Sequence, residues 1–342
     1  MSDGHIGVTA SGVVLLGPDV TCDGFHRDYP VRVQTHVHID HMSNFESSKG
    51  IQDIYLTEAT RKLLIAEFNA DLSVRDNIVA LGFGDWRTIR TSRVMLQSSN
   101  HMLGSVQVAV ELAGGRRVGY SGDFQWPLDK VIEVDELVLD STYGSENSVR
   151  TYTQEEAEQQ LLSIAIEKLK QGPIHLKAHR GTVHRGLQVL SELEHCALIA
   201  SPRMCKEIDV YREYGCPIGH VLCIKSPEAK AAVESGRYIR FYGTGDQFPI
   251  QVTHGTTISL SAFRTDHENP VLLYSDRSLS VALTNHADFA GTLEYVQATG
   301  AKHVITDNAR GGHAVELAIE LKRRLGIKAE ASECEISMEW GT

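Results

Sequence analysis

Short apolar runs separated by turn residues dominate the first part of the chain. Residues 12–17, 31–35 and 54–56 are rich in Val, Ile and Leu and are bounded by Gly, Pro or Asp, which predicts strands of a sheet. Residues 57–68 follow with apolar positions at helical spacing, so a strand precedes a helix here. Apolar and other residues alternate over residues 106–112, two glycines at 114 and 115 form a turn, and a second strand-like run follows at 117–120. This pattern predicts a hairpin. Together these elements predict an α/β fold.

The pattern changes near residue 145 to alternating helices and strands. Thr153 and Glu156, three residues apart, predict a capping box at the start of a helix that runs to Gly172. Further strand and helix patterns follow it, and this alternation predicts a mostly parallel sheet covered by helices. A later strand is predicted at residues 279–283, where the chain is expected to return to the first domain and deliver His286.

Composition and charge narrow the class of protein. The chain has 342 residues, which suggests two domains or one large domain with an insertion. With 42% hydrophobic and 23% charged residues it is an ordinary globular sequence. No apolar run is long enough to cross a membrane and the N-terminus does not resemble a signal peptide, so we expect a cytoplasmic protein without a membrane partner. The net charge of −11 means that any contact with nucleic acid needs a local patch or a bound metal.

The strongest chemical signal is a cluster of metal-ligand side chains directly after a predicted strand: His36, His38, Asp40 and His41. His36 and His38 are two residues apart and therefore lie on one side of an extended segment, where both imidazoles can reach one ion. Asp40 and His41 follow the end of the strand, where a turn would point them at a second ion. Carboxylate beside imidazole favours zinc or manganese.

Two later segments add His101, before the hairpin, and Asp123, after its second strand. In order and spacing the whole set resembles the metallo-β-lactamase superfamily. The resemblance implies hydrolysis at two divalent metals, with zinc preferred and manganese as the alternative. It assigns the first ion to His36, His38, His101 and Asp123, and the second to Asp40, His41 and Asp123. It also implies that Asp23 orients the metal-binding loop from behind.

Two further motifs favour one branch of that superfamily. Residues 137–144 look like the acidic-Ser/Thr-Thr-Tyr/Phe-Gly motif of the β-CASP nucleases, which include the Artemis-like DNA repair nucleases and RNA-processing relatives. Residues 283–289 resemble the second motif of that group. In the family, Asp140 would orient a metal-ligating histidine, and His286 would act at the scissile phosphate as proton donor or oxyanion stabiliser. Asp40, Asp140 and His286 are the expected catalytic residues.

The resemblance also implies a domain organisation. A metallo-β-lactamase core, an αββα sandwich, would comprise residues 1–144 and 276–342, and an α/β β-CASP cap would be inserted at residues 145–275. The active site is expected in the cleft between them.

The last metal motif departs from the family pattern. RNA-processing members carry a ligating histidine where this chain has Asn308. The DNA-acting branch also lacks that histidine, so single-stranded DNA is favoured over RNA as substrate. Asp307 could substitute as an oxygen ligand of the second metal.

A strand-to-helix turn in the predicted cap is rich in basic residues. Arg180, His184 and Arg185, with the amides at the start of the helix, form a candidate phosphate pocket. A solvated basic turn is the competing interpretation.

The sequence thus predicts a metal-dependent nuclease, an exonuclease or end-processing enzyme acting on single-stranded DNA in repair. A ribonuclease with the same chemistry is the first alternative. A catalytically weak homologue that binds nucleic acid or a protein partner as a scaffold is the second.

Overall fold

The computed structural model describes residues 6–68, 71–249, 254–263 and 266–333. It divides the chain into two compact units. Of the described residues, the first unit contains 6–61, 71–149 and 286–333, and the second contains 62–68, 150–249, 254–263 and 266–285. These boundaries differ from the predicted ones at 145 and 275. The assignment of the units to a core and a cap stays a prediction.

Two sheets form the first unit. The first has six strands in chain order: β1 Ile6–Val8, β2 Val14–Leu16, β3 Val20–Cys22, β4 Val31–Val33, β5 Asp53–Leu56 and β6 Ile78–Ala80. Its first three strands pair antiparallel, and β3 to β6 pair parallel.

The second sheet has seven strands, in the spatial order β20, β19, β11, β10, β9, β8, β7. Their bounds are β7 Trp86–Ile89, β8 Ser92–Ser98, β9 Val106–Glu111, β10 Arg117–Tyr120, β11 Glu136–Leu139, β19 His303–Thr306 and β20 Lys328–Ala331. The predicted hairpin is confirmed, since β9 and β10 pair antiparallel across the two-glycine turn.

Apolar side chains from both sheets pack into one core. Leu16 and Val33 come from the first sheet, and Leu96, Val108 and Val118 come from the second. The other face of the second sheet packs on helices α6 Phe289–Thr299 and α7 Ala314–Leu325. Burial of these aliphatic side chains is the main favourable term for this unit. The architecture is a mixed α/β structure compatible with an α/β sandwich.

The second unit is built on a seven-stranded sheet in the spatial order β14, β13, β15, β12, β16, β18, β17. Its strands are β12 Ile174–Ala178, β13 Ala197–Ala200, β14 Val221–Cys223, β15 Tyr238–Tyr242, β16 Thr256–Leu260, β17 Val271–Ser275 and β18 Ser278–Val281. All neighbouring pairs are parallel except β17 with β18. The prediction of a mostly parallel sheet is confirmed.

The remaining helices are α1 Glu58–Phe68, which contributes residues to both units, α2 Gln154–Lys168, α3 Thr182–Leu190, α4 Pro202–Glu213 and α5 Pro227–Ser235. The capping box at Thr153 and Glu156 is present, although α2 ends before the predicted Gly172. None of the described helices combines the length and the apolar character that a membrane span requires.

One predicted strand lies in a different place. The strand near residues 279–283 was expected at the return to the first unit, but β18 pairs with β16 and β17 in the sheet of the second unit. The first unit resumes only at His286.

Candidate metal centre

The predicted histidine cluster lies where β4 ends. The chain leaves β4 extended, and a short 3-10 turn at Ile39–His41 then reverses it. The ring centroid of His36 lies 4.6 Å from that of His38 and 4.1 Å from that of His41. His101 joins them from another loop, with its ring 4.8 Å from His36 and 4.9 Å from His38. Three imidazoles of one short segment and a fourth from a distant part of the sequence therefore share one small volume.

Asp123 stands at the centre of this cluster. Its Oδ2 lies 3.5 Å from Nε2 of both His36 and His101, and its Oδ1 lies 3.3 Å from Nε2 of His41. The preceding Gly122 has φ of 54°, and a Cβ there would come within 2.5 Å of the Val106 carbonyl oxygen. Glycine is therefore required to turn the chain after β10 and bring Asp123 inward.

The residues of the first predicted ligand set lie together: the donor atoms of His36, His38, His101 and Asp123 are within 4.8 Å of one another. The Nε2 atoms of His36 and His41 are buried and have no hydrogen-bond partner in the described part of the chain. Unpaired buried nitrogens are costly, and a cation bound between them would satisfy them. This His/Asp cluster can hold a metal ion.

Asp40 and His41 lie beside this group. His41 Nε2 is 3.5 Å from Asp40 Oδ2, as well as being close to Asp123. The Asp40 side chain is 55% exposed, whereas His41 is buried. The three residues of the second predicted set are thus neighbours, with Asp123 between the two sets.

Asp23 supports this loop from the buried side. Its Oδ2 accepts hydrogen bonds from Thr35 Oγ1 at 2.6 Å and pairs with His41 Nδ1 at 2.7 Å, and its Oδ1 accepts from the Thr35 amide at 2.8 Å. An aspartate that holds one ring nitrogen directs the other nitrogen toward the cluster. The contacts agree with the orienting role expected for Asp23.

Two supporting residues were missed in the sequence analysis. Arg32 is buried, donates to the His41 and Ser43 carbonyl oxygens, and also contacts Gln34. Gln34 Nε2 donates to the His36 carbonyl oxygen at 2.7 Å. The available signal was that Arg32 and Gln34, two polar residues, alternate with Val31 and Val33.

His286 closes the cluster on another side. Its Nδ1 lies 2.9 Å from Asp140 Oδ2, and its Nε2 faces Asp123 Oδ2 at 3.8 Å. Asp140 in turn accepts hydrogen bonds from the amide and hydroxyl of Thr142. Asp140 thus orients His286, and its role in orienting a metal-ligating histidine stays a prediction. Asp123, Asp140 and His286 also form a second group close enough to hold a cation.

The electrostatics of the cluster are governed by burial and by Asp123. Burial lowers the pKa of His36, and nearby His41 lowers it further. Burial acts in the same direction on His41, but Asp123 and Asp23 outweigh it and raise the pKa of His41 to about 10. Burial opposes ionisation of Asp123, yet His41 and His286 hold its pKa well below the usual range. Asp123 is therefore held as a carboxylate at the centre of the cluster.

Asp307 has a different role from the one predicted. Its Oδ2 pairs with Arg310 and its Oδ1 accepts a hydrogen bond from the Ala309 amide at 2.9 Å. Asn308 donates to the Ser332 carbonyl oxygen. Neither candidate metal group among the described residues includes Asp307. Because its charge is already neutralised by Arg310, the suggestion that it replaces the missing histidine ligand is contradicted.

The predicted phosphate pocket is also contradicted, for two of its three residues. Arg180 is buried and pairs with Glu67 at 2.6 Å and with Glu207 at 3.6 Å. His184 is fully buried, stacked on Tyr211 at a centroid distance of 4.1 Å, with Glu207 near its Nε2. Both side chains thus already face carboxylates away from solvent.

Arg185 pairs with Glu158 and is 30% exposed. It keeps some access to solvent, but the pocket of three basic groups that the sequence suggested does not form.

Comparisons with known proteins give distant similarities. No protein-family model matches the chain. It is 26% identical over 140 residues to the "Uncharacterized protein in lig 3'region" of Acidianus ambivalens, a match that covers 40% of this chain and 99% of that protein. It is 25% identical over 170 residues to the transcription termination factor FttA of Pyrococcus abyssi, covering 40% of this chain and 26% of that protein.

A third relative is the RNase J-like protein of Methanocaldococcus jannaschii, 24% identical over 161 residues, which covers 41% of this chain and 38% of that protein. The chain thus spans well under half the length of these last two relatives. A crystal structure of a protein of unknown function from Enterococcus faecalis V583 superposes with a TM-score of 0.60 at 12% identity, over 91% of this chain and 81% of that one. That likeness concerns the fold.

Proposed function

We propose that this protein is a metal-dependent phosphodiesterase that cleaves nucleic acid. The observation that carries the proposal is the convergence of His36, His38, His101 and His41 on one carboxylate, Asp123. Divalent ions held there would lower the pKa of a water molecule and neutralise charge on a phosphodiester. Two ions are proposed, zinc first and manganese as the alternative, because two ligand sets meet at Asp123.

The chain's own residues would support the reaction in separate ways. Asp23 and Arg32 hold the ligand loop from behind, so that the ligand side chains are positioned before substrate arrives. Asp140 fixes the His286 ring through Nδ1, which leaves Nε2 to donate a proton to the leaving oxygen or to bind a phosphate oxygen. We further propose that the two units correspond to a metallo-β-lactamase core and a β-CASP cap.

The choice of polymer is the finer part of the proposal. The sequence analysis favoured single-stranded DNA because Asn308 stands where RNA-processing relatives have a histidine. The names of two relatives, a transcription termination factor and an RNase J-like protein, favour RNA instead. We therefore propose RNA as the principal substrate, with single-stranded DNA as the candidate that Asn308 supports.

The test is cleavage of matched 5′-labelled single-stranded RNA and DNA with added zinc or manganese, using the full chain and an Asp40→Asn control prepared identically. We expect cleavage of RNA that is lost in the control. Preferential cleavage of DNA would restore the original substrate prediction. Metal binding without cleavage of either polymer would contradict the proposed function and favour the scaffold alternative.

A further inference from the structure

The sheet of the second unit has two unlike faces. One face is aliphatic and packs on α3, where a Cβ at Gly186 would approach Leu260 and Leu176. The opposite face carries a transverse row of four residues from neighbouring strands: Tyr242, Lys177, Ser259 and Ser280. Lys177 is directly opposite Tyr242 and Ser259, and Ser259 is opposite Ser280. Parallel sheets usually bury both faces under helices, so this polar row needs another explanation.

A pocket of about 460 Å³ lies over that row, and all four residues line it. Most of its remaining walls come from the carboxyl ends of β12, β15 and β16 and the segments that follow them, including His179, Phe248 and Phe263. Tyr274 of β17 adds a further wall. Crevices beyond the carboxyl ends of parallel strands are where open α/β sheets bind their ligands. The position in the fold therefore points to a ligand site.

The walls combine aromatic rings with positive charge. Phe263 is 69% exposed and Tyr274 is 53% exposed, so both rings present large apolar surface at the mouth of the pocket. Lys177 is exposed, with its Nζ 5.1 Å from the centre of the Phe248 ring. The half-buried Phe248 packs edge-on against Tyr242 at 4.8 Å. Tyr242 and Phe248 are thus fixed by packing on each other, whereas Phe263 and Tyr274 expose more than half of their surface.

One acidic side chain also lines the pocket, and its charge is engaged. Asp246 Oδ2 accepts a hydrogen bond from the Gly243 amide at 2.9 Å, which closes the loop after β15. Its Oδ1 lies 3.5 Å from the Arg203 guanidinium. Arg203, which also pairs with Glu67, offsets part of the charge of Asp246. Lys177 supplies a positive charge that an anionic group can approach.

We propose that this pocket binds a segment of single-stranded nucleic acid, with bases stacked on Phe263 and Tyr274 and a phosphate held by Lys177. Exposed aromatic rings beside a cation are the elements that bind unpaired strands irrespective of sequence, because every base offers a flat face. The serine hydroxyls of the row add hydrogen-bond partners for sugar or phosphate. The choice of a polymer as the ligand rests on the proposed function, whereas the pocket's chemistry requires only a base and a phosphate.

The experiment is fluorescence anisotropy with the full, metal-loaded chain and fluorescein-labelled RNA and DNA of about 12 nucleotides, a length within known site sizes. Phosphorothioate linkages suppress cleavage. We expect Tyr274→Ala and Phe263→Ala each to raise the Kd about tenfold. Lys177→Gln should weaken binding and reduce the slope of log K against log salt by about one.

Matched controls come from the same unit. Tyr214→Ala removes another partly exposed ring and Lys206→Gln another exposed lysine, and neither residue lines the pocket. Both controls should leave the Kd unchanged. If the pocket variants bind as tightly as the controls, the inference is wrong.

Two other outcomes separate this inference from the proposed function. Binding that depends on Tyr274 in a protein that cuts neither polymer would keep the pocket and reject the nuclease. If the protein cleaves nucleic acid and all pocket variants bind it normally, the nuclease function is kept and the pocket inference is rejected. If AMP or UMP binds in a Tyr274-dependent way as tightly as the oligonucleotides, the pocket takes a free nucleotide, and the assignment to a strand is overturned.

Discussion

At the scale of single residues, Asp23 shows how a side chain that reaches no substrate can control a metal site. It has φ of 55° and holds His41 and Thr35 together. Asp23→Asn keeps the size and shape of the side chain, and asparagine tolerates this backbone conformation. The substitution removes the negative charge and so weakens the interaction with His41 Nδ1. We expect metal affinity to fall by about 10- to 100-fold, measured by titration with a competing chelator.

The control for this variant is Asp19→Asn, another buried aspartate of the same unit, whose partners are Ser92 and Arg90. It should bind metal as the unchanged protein does. Equal losses in the two variants would mean that Asp23 acts only through general stability.

His286 is the residue expected to affect rate without affecting metal. His286→Gln removes the group that Asp140 orients toward Asp123, and we expect the cleavage rate to fall by about 10²- to 10⁴-fold. Metal content, measured by elemental analysis, should not change. His303→Gln is the control, since His303 pairs with Glu136 and Glu330 instead. Loss of metal from the His286 variant would make this residue a ligand.

At the scale of elements, the start of α3 carries a charge network that sequence analysis had interpreted as a phosphate pocket. Arg180 lies between two carboxylates with little exposure to solvent. Removing it takes one ion pair from Glu67, which keeps its contact with Arg203, and one from Glu207, which keeps its contact with His184. We expect Arg180→Met to lower the free energy of unfolding by about 3–5 kcal/mol, measured by urea denaturation.

Arg185→Met is the matched comparison in the same helix. Arg185 is partly exposed and pairs with Glu158, so we expect its substitution to lower the free energy of unfolding by less than about 1 kcal/mol. If Arg180→Met unfolded normally but lost affinity for inorganic phosphate, the original interpretation would be correct.

Elements with a local signal could be predicted from the sequence. The hairpin of β9 and β10 has its own turn, and α2 has its own cap at Thr153, so both are coded by nearby residues. The partners of β18 and the environment of Arg180 depend on residues distant in sequence, Ser259 and Glu67 among them. Periodicity carries no information about such long-range pairings, which is why these two predictions differed from the structure.

The candidate site follows the same division. His36 and His38 were found because they lie two residues apart in a cluster of ligand-type residues. His101 and Asp123 lie in later segments and were found through the family resemblance. Asp307 was misassigned because its neighbour Arg310 becomes its partner only once the chain turns after β19.

At the scale of the whole molecule, the metal should stabilise the fold. Ligands in the cluster come from segments that are far apart in the chain, so a bound ion connects them only in the folded state. At a free metal concentration 100 times the Kd, this adds about 2.7 kcal/mol. We expect a chelator to lower the unfolding temperature measured by calorimetry. Without chelator, Asp123→Ala should already have the lower unfolding temperature, and adding the chelator should not change it further. If the chelator lowered the unfolding temperature of this variant as much as that of the unchanged protein, the metal would bind elsewhere.

The order of strands in the second sheet has a consequence for synthesis on the ribosome. β11 ends at Leu139, but its parallel neighbour β19 begins only at His303. At about 5–20 residues per second, roughly 8 to 33 s separate the appearance of the two strands. During that interval the edge of β11 has no β19 to pair with, and exposed strand edges favour association with other chains. The nascent protein should therefore depend on chaperones most strongly while the second unit is being made.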